Sequence, residues 1–226
     1  MCGRFSLAVD KASLDAFLNR EYNINNLNLS LQLPRYNIAP GQNIVSVIHD
    51  GVQYRVGLIR WGFVPSFAKN ESIGYSMINA KSETINEKPA FVPSLKNRRC
   101  VIIADGFYEW KIEIKGKQAY HIKSKNAALF AMAGLWSSYA LADGSKLYTS
   151  AIITTAACGP MAEIHERMPV ILNQTSVEQW LNPKINDLTV LSQLLTQNEA
   201  PELIFVPVSN AVNNVKNESI ECIRAI

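Results

Sequence analysis

Apolar residues recur at helical spacing in three stretches of the chain. In the first, Leu14, Phe17 and Leu18 share one face of a short amphipathic helix predicted over residues 12–20. Thr175 and Glu178 have the spacing of a capping box, which predicts the start of a later helix. The two later helices are predicted over residues 176–182 and 187–196.

Shorter runs rich in apolar and β-branched residues predict β-strands along most of the chain. An Asp-Gly pair, Asp50-Gly51, separates the first two runs and is typical of a β-hairpin turn. Residues 115–117 form a second predicted hairpin turn. Many short strands with few helices, and no strict alternation of the two, favour a mixed antiparallel α+β fold. The predicted strands cover 43–48, 52–60, 100–104, 118–122, 128–133, 147–155 and 203–207.

The segments between these elements have the composition of loops and turns. Residues 21–33 are predicted as an irregular connection, and 34–42 as an ordered turn region containing Pro40-Gly41. Residues 61–67, with three aromatic side chains, are predicted as a loop. No repeat or flexible linker interrupts the chain, so one domain over residues 1–226 is expected.

Composition excludes several classes of protein. The chain has 226 residues, 48% of them apolar and 18% charged, which argues against disorder, collagen and coiled coil. No apolar run approaches the ~20 residues that span a bilayer, and the start of the chain lacks the pattern of a signal peptide. We therefore expect a soluble protein of the cytoplasm, associated with the nucleoid, or of the nucleus in a eukaryotic host.

Charge and cysteine spacing narrow the possible partners. The net charge of +3, from 22 basic and 19 acidic residues, permits a nucleic-acid partner without demanding one. Four cysteines lie far apart with no CxxC pair, so neither disulfides nor a zinc site are expected. Cys100, Cys158 and Cys222 are interpreted as small apolar residues, whereas Cys2 has a special position.

Cys2 would become the first residue once Met1 is removed, which is usual when the second residue is small. Its α-amine and thiol would then form a 1,2-aminothiol. The amine of such a group condenses with an aldehyde to an imine, and the sulfur then closes a five-membered thiazolidine. A small residue at a frayed terminus, or the nucleophile of an amidohydrolase, are the alternatives.

Three further polar residues lie in apolar surroundings. Glu109 follows a buried strand between Tyr108 and Trp110, where a raised pKa would suit proton transfer, although a solvent-facing strand residue has the same pattern. His165 has charged neighbours but could equally be a structural imidazole. Asn79 offers both a donor and an acceptor for a sugar or phosphate oxygen, or could cap a turn.

Seven segments containing these residues occur in the order found in one family. The chain resembles, from Cys2 to Lys216, the SRAP family, whose members are called SOS-response-associated peptidases or abasic-site processing proteins. Each segment alone is a modest signal, but seven in order with cysteine at position 2 are specific. The segments are MCGRF, PRYNIAPGQ, RWGFVPSF, INAKSET, RRCVIIADGFYEWK, IHERMPVIL and PVSNAVNNVKN.

This resemblance implies a single α+β domain with a β-rich, mostly antiparallel, barrel-like core and peripheral helices. It implies a sensor and shield of abasic sites in single-stranded DNA, including junctions with double strands, that forms a thiazolidine crosslink through its N-terminal cysteine. The resemblance also implies abasic-site lyase and crosslink-reversal activities, and a peptidase activity that is debated. A monomer without cofactor, metal or membrane partner is expected. The catalytic residues of the family correspond to Cys2, Asn79, Glu109 and His165.

The resemblance also assigns contacts to DNA. The residues assigned to phosphate or sugar contacts are Arg4, Asn37, Lys81 and Arg167. The residues assigned to stack on bases or wedge between them are Trp61 and Phe67. Two positions depart from the family pattern. Lys81 replaces an arginine that is common in the family, so its side chain cannot form the two parallel hydrogen bonds of a guanidinium with a phosphate. Phe67-Ala68 replaces the paired tryptophans of some members.

Two alternative functions stay open at this point. An N-terminal-cysteine peptidase or amidohydrolase would use the same Cys2 and Glu109 but would turn over a small amide substrate. A non-catalytic module that binds single-stranded DNA would form complexes that do not survive denaturation.

Overall fold

A computed structural model describes residues 2–25, 29–114, 116–196 and 201–226. The helices are α1 (Lys11–Tyr22), α2 (Val92–Asn97), α3 (Gln174–Leu181) and α4 (Leu188–Thr196). The strands are β1 (Phe5–Leu7), β2 (Arg35–Ile38), β3 (Asn43–His49), β4 (Tyr54–Trp61), β5 (Asn79–Lys81), β6 (Arg99–Ala104), β7 (Gly106–Glu113), β8 (Gly116–Ser124), β9 (Phe130–Ala140), β10 (Lys146–Ala156), β11 (Arg167–Pro169), β12 (Ile171–Leu172) and β13 (Leu203–Val208).

Five of these strands form a closed ring in the order β10-β4-β3-β6-β9, with β9 pairing back to β10. All pairs in the ring are antiparallel except β4 with β10, which run parallel. The three short strands β5, β11 and β12 extend this barrel at β10 and β9. Closure removes the exposed edges that an open sheet would present, and apolar residues fill the core.

A second, five-stranded sheet lies beside the barrel in the order β13-β8-β7-β1-β2, with all pairs antiparallel. Its strand β7 directly follows β6 of the barrel, with Asp105 between them, so one continuous segment joins the two sheets. The predicted α+β fold with a mostly antiparallel, barrel-like core is confirmed.

The helices cover the barrel from outside, and their ends are fixed by specific bonds. Asp10 caps α1 by accepting a hydrogen bond from the backbone N–H of Ser13 at 2.8 Å. Asn173, rather than the predicted Thr175, caps α3 through the N–H of Ser176. The hairpin turn predicted at 115–117 includes Lys115, which lies outside the described residues, as does part of the predicted connection at 21–33.

One buried cation joins the helical layer to the barrel. The guanidinium of Arg99, at the start of β6, donates to the carbonyls of Leu95 (2.8 Å) and Ile185 (2.8 Å). Burial lowers its pKa to about 10, so Arg99 is charged at neutral pH. Further acceptors are the carbonyls of Lys96, Trp180 and Asn182.

None of the helices in the described ranges is both long and apolar enough to cross a membrane.

Candidate active site around Cys2

Cys2 lies where the two sheets meet. It precedes β1 of the five-stranded sheet, and Glu109 lies on the neighbouring β7. Asn79 begins β5, which runs parallel to β10 of the barrel, and His165 lies just before β11, the antiparallel neighbour of β10. Four segments far apart in sequence therefore carry these four residues to one place.

The side chain of Asn79 holds the backbone of Cys2. Its amide Nδ2 donates a hydrogen bond to the carbonyl oxygen of Cys2 at 2.9 Å. Its other polar atom, Oδ1, is buried and has no hydrogen-bond partner among the residues that the structure describes. An unsatisfied buried acceptor is costly, and this one is available to a hydroxyl of a bound molecule.

The thiol of Cys2 is buried and stays protonated. Cys2 has no exposed surface, and this desolvation, followed by the nearby charge of Glu109, raises the pKa of the Cys2 thiol well above its usual range. The backbone around it is fixed, because the N–H of Tyr108 donates to the carbonyl of Arg4 at 2.9 Å. A buried neutral thiol favours chemistry in which another group attacks first.

Glu109 carries a carboxyl that changes charge near neutral pH. Its side chain is 4% exposed, and burial raises the pKa of Glu109 to about 7. Strand β7 fixes its direction, with Glu109 paired to Tyr120 of β8. Near neutral pH the carboxyl can therefore both donate and accept a proton.

His165 faces Glu109 across the site. Its Nε2 lies 3.9 Å from Oε2 of Glu109, and its Nδ1 accepts a hydrogen bond from the backbone N–H of Arg167 at 3.0 Å. Burial lowers the pKa of His165, so the imidazole is neutral at pH 7. Because Nδ1 acts as an acceptor, the proton of the neutral ring resides on Nε2, which points toward the site.

Two of the residues predicted to contact DNA are exposed, and one of them, Lys81, lies beside this site. Lys81 ends β5 two residues after Asn79 and lies opposite Thr154 of β10. Phe67 is 65% exposed, in the loop that follows β4. Both side chains can reach a ligand without any change in the fold.

Arg167 pairs with Glu83, a residue to which the sequence assigned no role. Its guanidinium forms two hydrogen bonds with the carboxylate of Glu83, at 2.7 and 2.8 Å, and a third with the carbonyl of Thr154 at 2.7 Å. The bidentate pair lowers the pKa of Glu83 to about 2. The acidic residue two positions after Lys81, inside the INAKSET segment, was the signal available in the sequence.

Trp61 is part of the core rather than the surface. It has no exposed area, its indole Nε1 donates to the carbonyl of Ile78 at 2.9 Å, and its ring packs against Phe5 with centroids 5.2 Å apart. Trp61 offers no surface for a base to stack on in this structure, and its assignment as a stacking residue stays a prediction. The three aromatics of segment 61–67 look alike in sequence, and only the fold separates the two buried ones, Trp61 and Phe63, from Phe67.

Asn37 is also fully buried, and its amide is used within the protein. Its Nδ2 donates to the carbonyls of Asn214 (3.0 Å) and Asn217 (2.9 Å), while its Oδ1 accepts from Arg4 at 2.6 Å. A direct DNA contact by Asn37 stays a prediction, since its side-chain polar atoms are used within the protein. Asn37 orients Arg4, which is half-buried and also donates to the carbonyl of Val212 at 2.7 Å.

Comparison with known proteins identifies relatives over the whole chain. The chain is 44% identical over 233 aligned residues to abasic site processing protein YoqW of Bacillus subtilis, with both chains fully covered. It is 31% identical to abasic site processing protein HMCES of Rattus norvegicus, covering 84% of this chain and 64% of that protein.

Solved structures share the fold. A protein from Bacteroides thetaiotaomicron matches with a TM-score of 0.84 at 24% identity over the full length of both chains. A phage-related protein from Bordetella bronchiseptica matches with a TM-score of 0.72 at 26% identity, over 92% of this chain and 94% of that one. The family model for SOS response associated peptidase (SRAP) matches residues 1–215. The chain therefore belongs to the SRAP family.

Proposed function

We propose that this protein processes abasic sites in single-stranded DNA by forming a covalent crosslink through Cys2. The observation that carries the proposal is the convergence of Asn79, Glu109 and His165 on Cys2. Relatives 31–44% identical are named abasic site processing proteins. The reaction needs the α-amine of Cys2 to be free, and Met1, whose removal frees it, lies outside the described residues.

The first step opens the sugar of the abasic site. An abasic deoxyribose exists as a cyclic hemiacetal, whose opening exposes an aldehyde at C1′. As the bond between C1′ and the ring oxygen breaks, the proton of the C1′ hydroxyl ends on the ring oxygen. The Nε2–H of neutral His165 assists by donating a hydrogen bond to that oxygen. Asn79 orients the sugar through its unpartnered Oδ1, which accepts a hydrogen bond from a sugar hydroxyl.

The amine of Cys2 then adds to the aldehyde carbon. A C–N bond forms, and loss of one water molecule gives an imine. Both halves of this step need proton transfer, first from the attacking amine and then to the departing hydroxyl. The carboxyl of Glu109, with a pKa of about 7, exists in both protonation states at neutral pH and serves both transfers.

Addition of the thiol completes the crosslink. The sulfur of Cys2 bonds to the imine carbon, the thiol proton passes to the imine nitrogen by way of Glu109, and a five-membered thiazolidine results. Because sulfur and nitrogen belong to one residue, the closure is intramolecular and strongly favoured. The buried, protonated thiol explains why the amine attacks first.

Two side activities follow from the same intermediate. An imine at this sugar promotes β-elimination, which breaks the DNA strand, so slow abasic-site lyase activity competes with ring closure. When the same proton transfers run in reverse, they reopen the thiazolidine ring. Thiazolidine formation protects the strand because it removes the electron-withdrawing imine.

The DNA path is proposed to pass the exposed side of the site. Lys81 contacts a phosphate, Phe67 stacks on a base beside the lesion, and Arg4 and Arg167 act from partly buried positions. We further propose that residues 1–226 form one SRAP domain that acts as a monomer on chromosomal DNA, in a nucleoid or nucleus, with no cofactor.

A denaturing gel tests the crosslink directly. Protein is mixed with a single-stranded oligonucleotide that carries one abasic site, with Cys2→Ala and Cys2→Ser as variants. Wild type gives a heat-resistant shifted band in stoichiometric amount and neither variant does. The oligonucleotide reduced with borohydride, which has no aldehyde, is the matched DNA control and gives no band.

A band of equal strength from Cys2→Ala overturns the mechanism. Multiple turnovers on a small amide substrate, in the absence of a band, would favour an N-terminal-cysteine amidohydrolase instead. Mass spectrometry of the crosslinked peptide adds the position of the bond, expected at Cys2 with Met1 absent.

A further inference from the structure

A small cavity lies in the barrel wall away from Cys2. It measures about 200 Å³ and is lined by residues of four strands, among them Ser46 of β3, Gly57 of β4, Trp136 of β9 and Tyr148 of β10. Drug-sized ligands occupy pockets of ~300–1,000 Å³, so this cavity suits a single ring system.

Two aromatic rings form one wall of the cavity. Trp136 and Tyr148 have ring centroids 6.1 Å apart and planes tilted by 56°, which leaves an open corner between the rings. Tyr148 is 47% exposed. A planar ring that enters this corner can stack on one of them and meet the edge of the other.

The opposite wall carries an unsatisfied polar group. Ser46 is 1% exposed, and its Oγ has no hydrogen-bond partner within the described ranges of the chain. Its partner across the ladder is Gly57, where an added Cβ would meet nothing within 4 Å. The missing side chain at Gly57 leaves space beside the Ser46 hydroxyl, so a ligand with a polar edge would satisfy it.

Three arginines lie at or near the cavity, two of them paired with carboxylates. The guanidinium of Arg98 lies over the ring of Trp136, 5.6 Å from its centroid. Arg55 lines the cavity and is 57% exposed, although it also pairs with Asp50 at 2.7 Å. Arg60 lies opposite Thr149, the neighbour of Tyr148, and pairs with Glu71 at 3.1 Å.

Two aromatic rings, one unsatisfied hydroxyl and nearby arginines together match one component of a nucleic acid. We infer that this cavity binds a base of the single-stranded DNA that flanks the abasic site. The inference rests on the proposed function for its ligand. Stacking holds the base, the Ser46 hydroxyl bonds its polar edge, and the arginines face the phosphates on either side.

The distance to the reactive site fits such a role. Strand β10 carries Tyr148 at the cavity and, six residues later, Thr154 beside Lys81. At ~3.3 Å per strand residue the separation is roughly 20 Å, which corresponds to about six nucleotides at the 3.4 Å spacing of a duplex strand. Single-stranded DNA-binding folds commonly contact runs of ~4–16 nucleotides.

Oligonucleotides of different flank length test the inference. Each carries one tetrahydrofuran abasic analogue, which has no aldehyde, so that fluorescence anisotropy measures non-covalent affinity. One oligonucleotide has two nucleotides on each side, and two others have ten extra nucleotides on the 5′ or the 3′ side. Tyr148→Ala is expected to weaken binding about tenfold for one of the long oligonucleotides and less than twofold for the short one.

Three variants make this result specific. Tyr148→Phe keeps the stacking ring and retains wild-type affinity. Ser46→Ala loses about threefold on the same long oligonucleotide. Tyr139→Ala is the matched control, because Tyr139 lies in the same β9–β10 hairpin, opposite Leu147, and neighbouring strand residues face opposite sides. Its affinity is expected to stay within twofold of wild type for every oligonucleotide.

Failure of the inference is distinguishable from failure of the proposed function. Equal affinities of Tyr148→Ala and wild type for all three oligonucleotides overturn the base-binding cavity, even if wild type still crosslinks a true abasic site. A wild type that never crosslinks, while Tyr148→Ala weakens binding to a long oligonucleotide, overturns the crosslinking function and supports the cavity.

Discussion

Two buried ionisable residues, Arg99 and Glu109, lie ten positions apart in the chain and have opposite uses. Arg99 donates to carbonyls at the ends of α2 and α3, and it keeps its charge because its pKa falls only to about 10. Glu109 has its pKa raised to about 7, so its charge changes near neutral pH. Burial alone is therefore a poor sign of catalysis, whereas burial that brings a pKa to neutrality is a good one.

Removing the guanidinium of Arg99 is expected to give the largest loss of stability. In Arg99→Met the buried carbonyls of Leu95, Trp180 and Asn182 lose their donor, and unsatisfied buried acceptors cost ~1–3 kcal/mol each. We expect the free energy of unfolding to fall by about 4 kcal/mol in urea denaturation at pH 7. A loss below about 1 kcal/mol would show that water replaces the guanidinium. Arg98→Met, which removes an arginine that lies over the ring of Trp136, is the neighbouring control.

Glu109→Gln is expected to affect the reaction rather than the fold. Loss of a positioned acid–base group reduces rates by about 10²–10⁴-fold, so crosslinking measured on denaturing gels at pH 7 should slow by at least a hundredfold. The folded state should be retained by circular dichroism. Crosslinking at the wild-type rate, with the same pH profile, would remove Glu109 from the mechanism.

The same substitution is expected to change how stability depends on pH. Between about pH 4.3, the ordinary value for Glu, and pH 7 the unfolded chain releases a proton that folded wild type keeps. The free energy of unfolding of wild type therefore falls as pH rises through this window, by about 2–3 kcal/mol relative to Glu109→Gln. Urea denaturation of both proteins at pH 4.5, 6 and 8 measures the difference. A constant difference across these pH values would contradict the raised pKa.

The smallest expected effect concerns Glu83. Its pKa of about 2 lies below the ordinary value for Glu, whereas the pKa of Glu109 lies above it. The pairing of Glu83 with Arg167 stabilises the fold above about pH 4.3, and this contribution is lost as pH falls toward 2. Since the Glu83 side chain is 42% exposed, Glu83→Gln should cost less than ~1 kcal/mol at pH 7. Chemical denaturation at pH 7 and pH 3 should show that the cost is clearly smaller at pH 3. A larger cost at pH 3 than at pH 7 would contradict the lowered pKa of Glu83.

Local patterns in the sequence predicted most elements but not how they meet. Apolar spacing placed α1 and six of the described strands within about two residues, because those signals lie within one segment. The strand predicted over 128–133 ended seven residues before β9 does, and β7, which carries Glu109, was not predicted. The parallel pairing of β4 with β10, which closes the barrel, joins residues about 90 positions apart and leaves no local signal. Asn173 and Thr175 are both good helix caps, and packing rather than composition selected Asn173.

The candidate site, too, could be predicted only in part from the sequence. Cys2, Asn79, Glu109 and His165 were named from motifs and from the chemistry of their side chains, and the fold brings them together. The burial of Trp61 could not be predicted from the sequence, because an aromatic residue between a strand and a loop has no local mark of its burial. The cavity at Ser46 could not be anticipated at all, since it depends on residues from four strands.

The hydrogen bonds of Asn37 and Arg4 to the carbonyls of Val212, Asn214 and Asn217 have a consequence for the length of the chain. They fasten the segment after β13 onto the very residues that precede and flank β1. A protein shortened by its final fifteen residues would lose the three carbonyls that hold the side chains of Arg4 and Asn37. The chemistry proposed for Cys2 would then be weakened by a change at the far end of the chain.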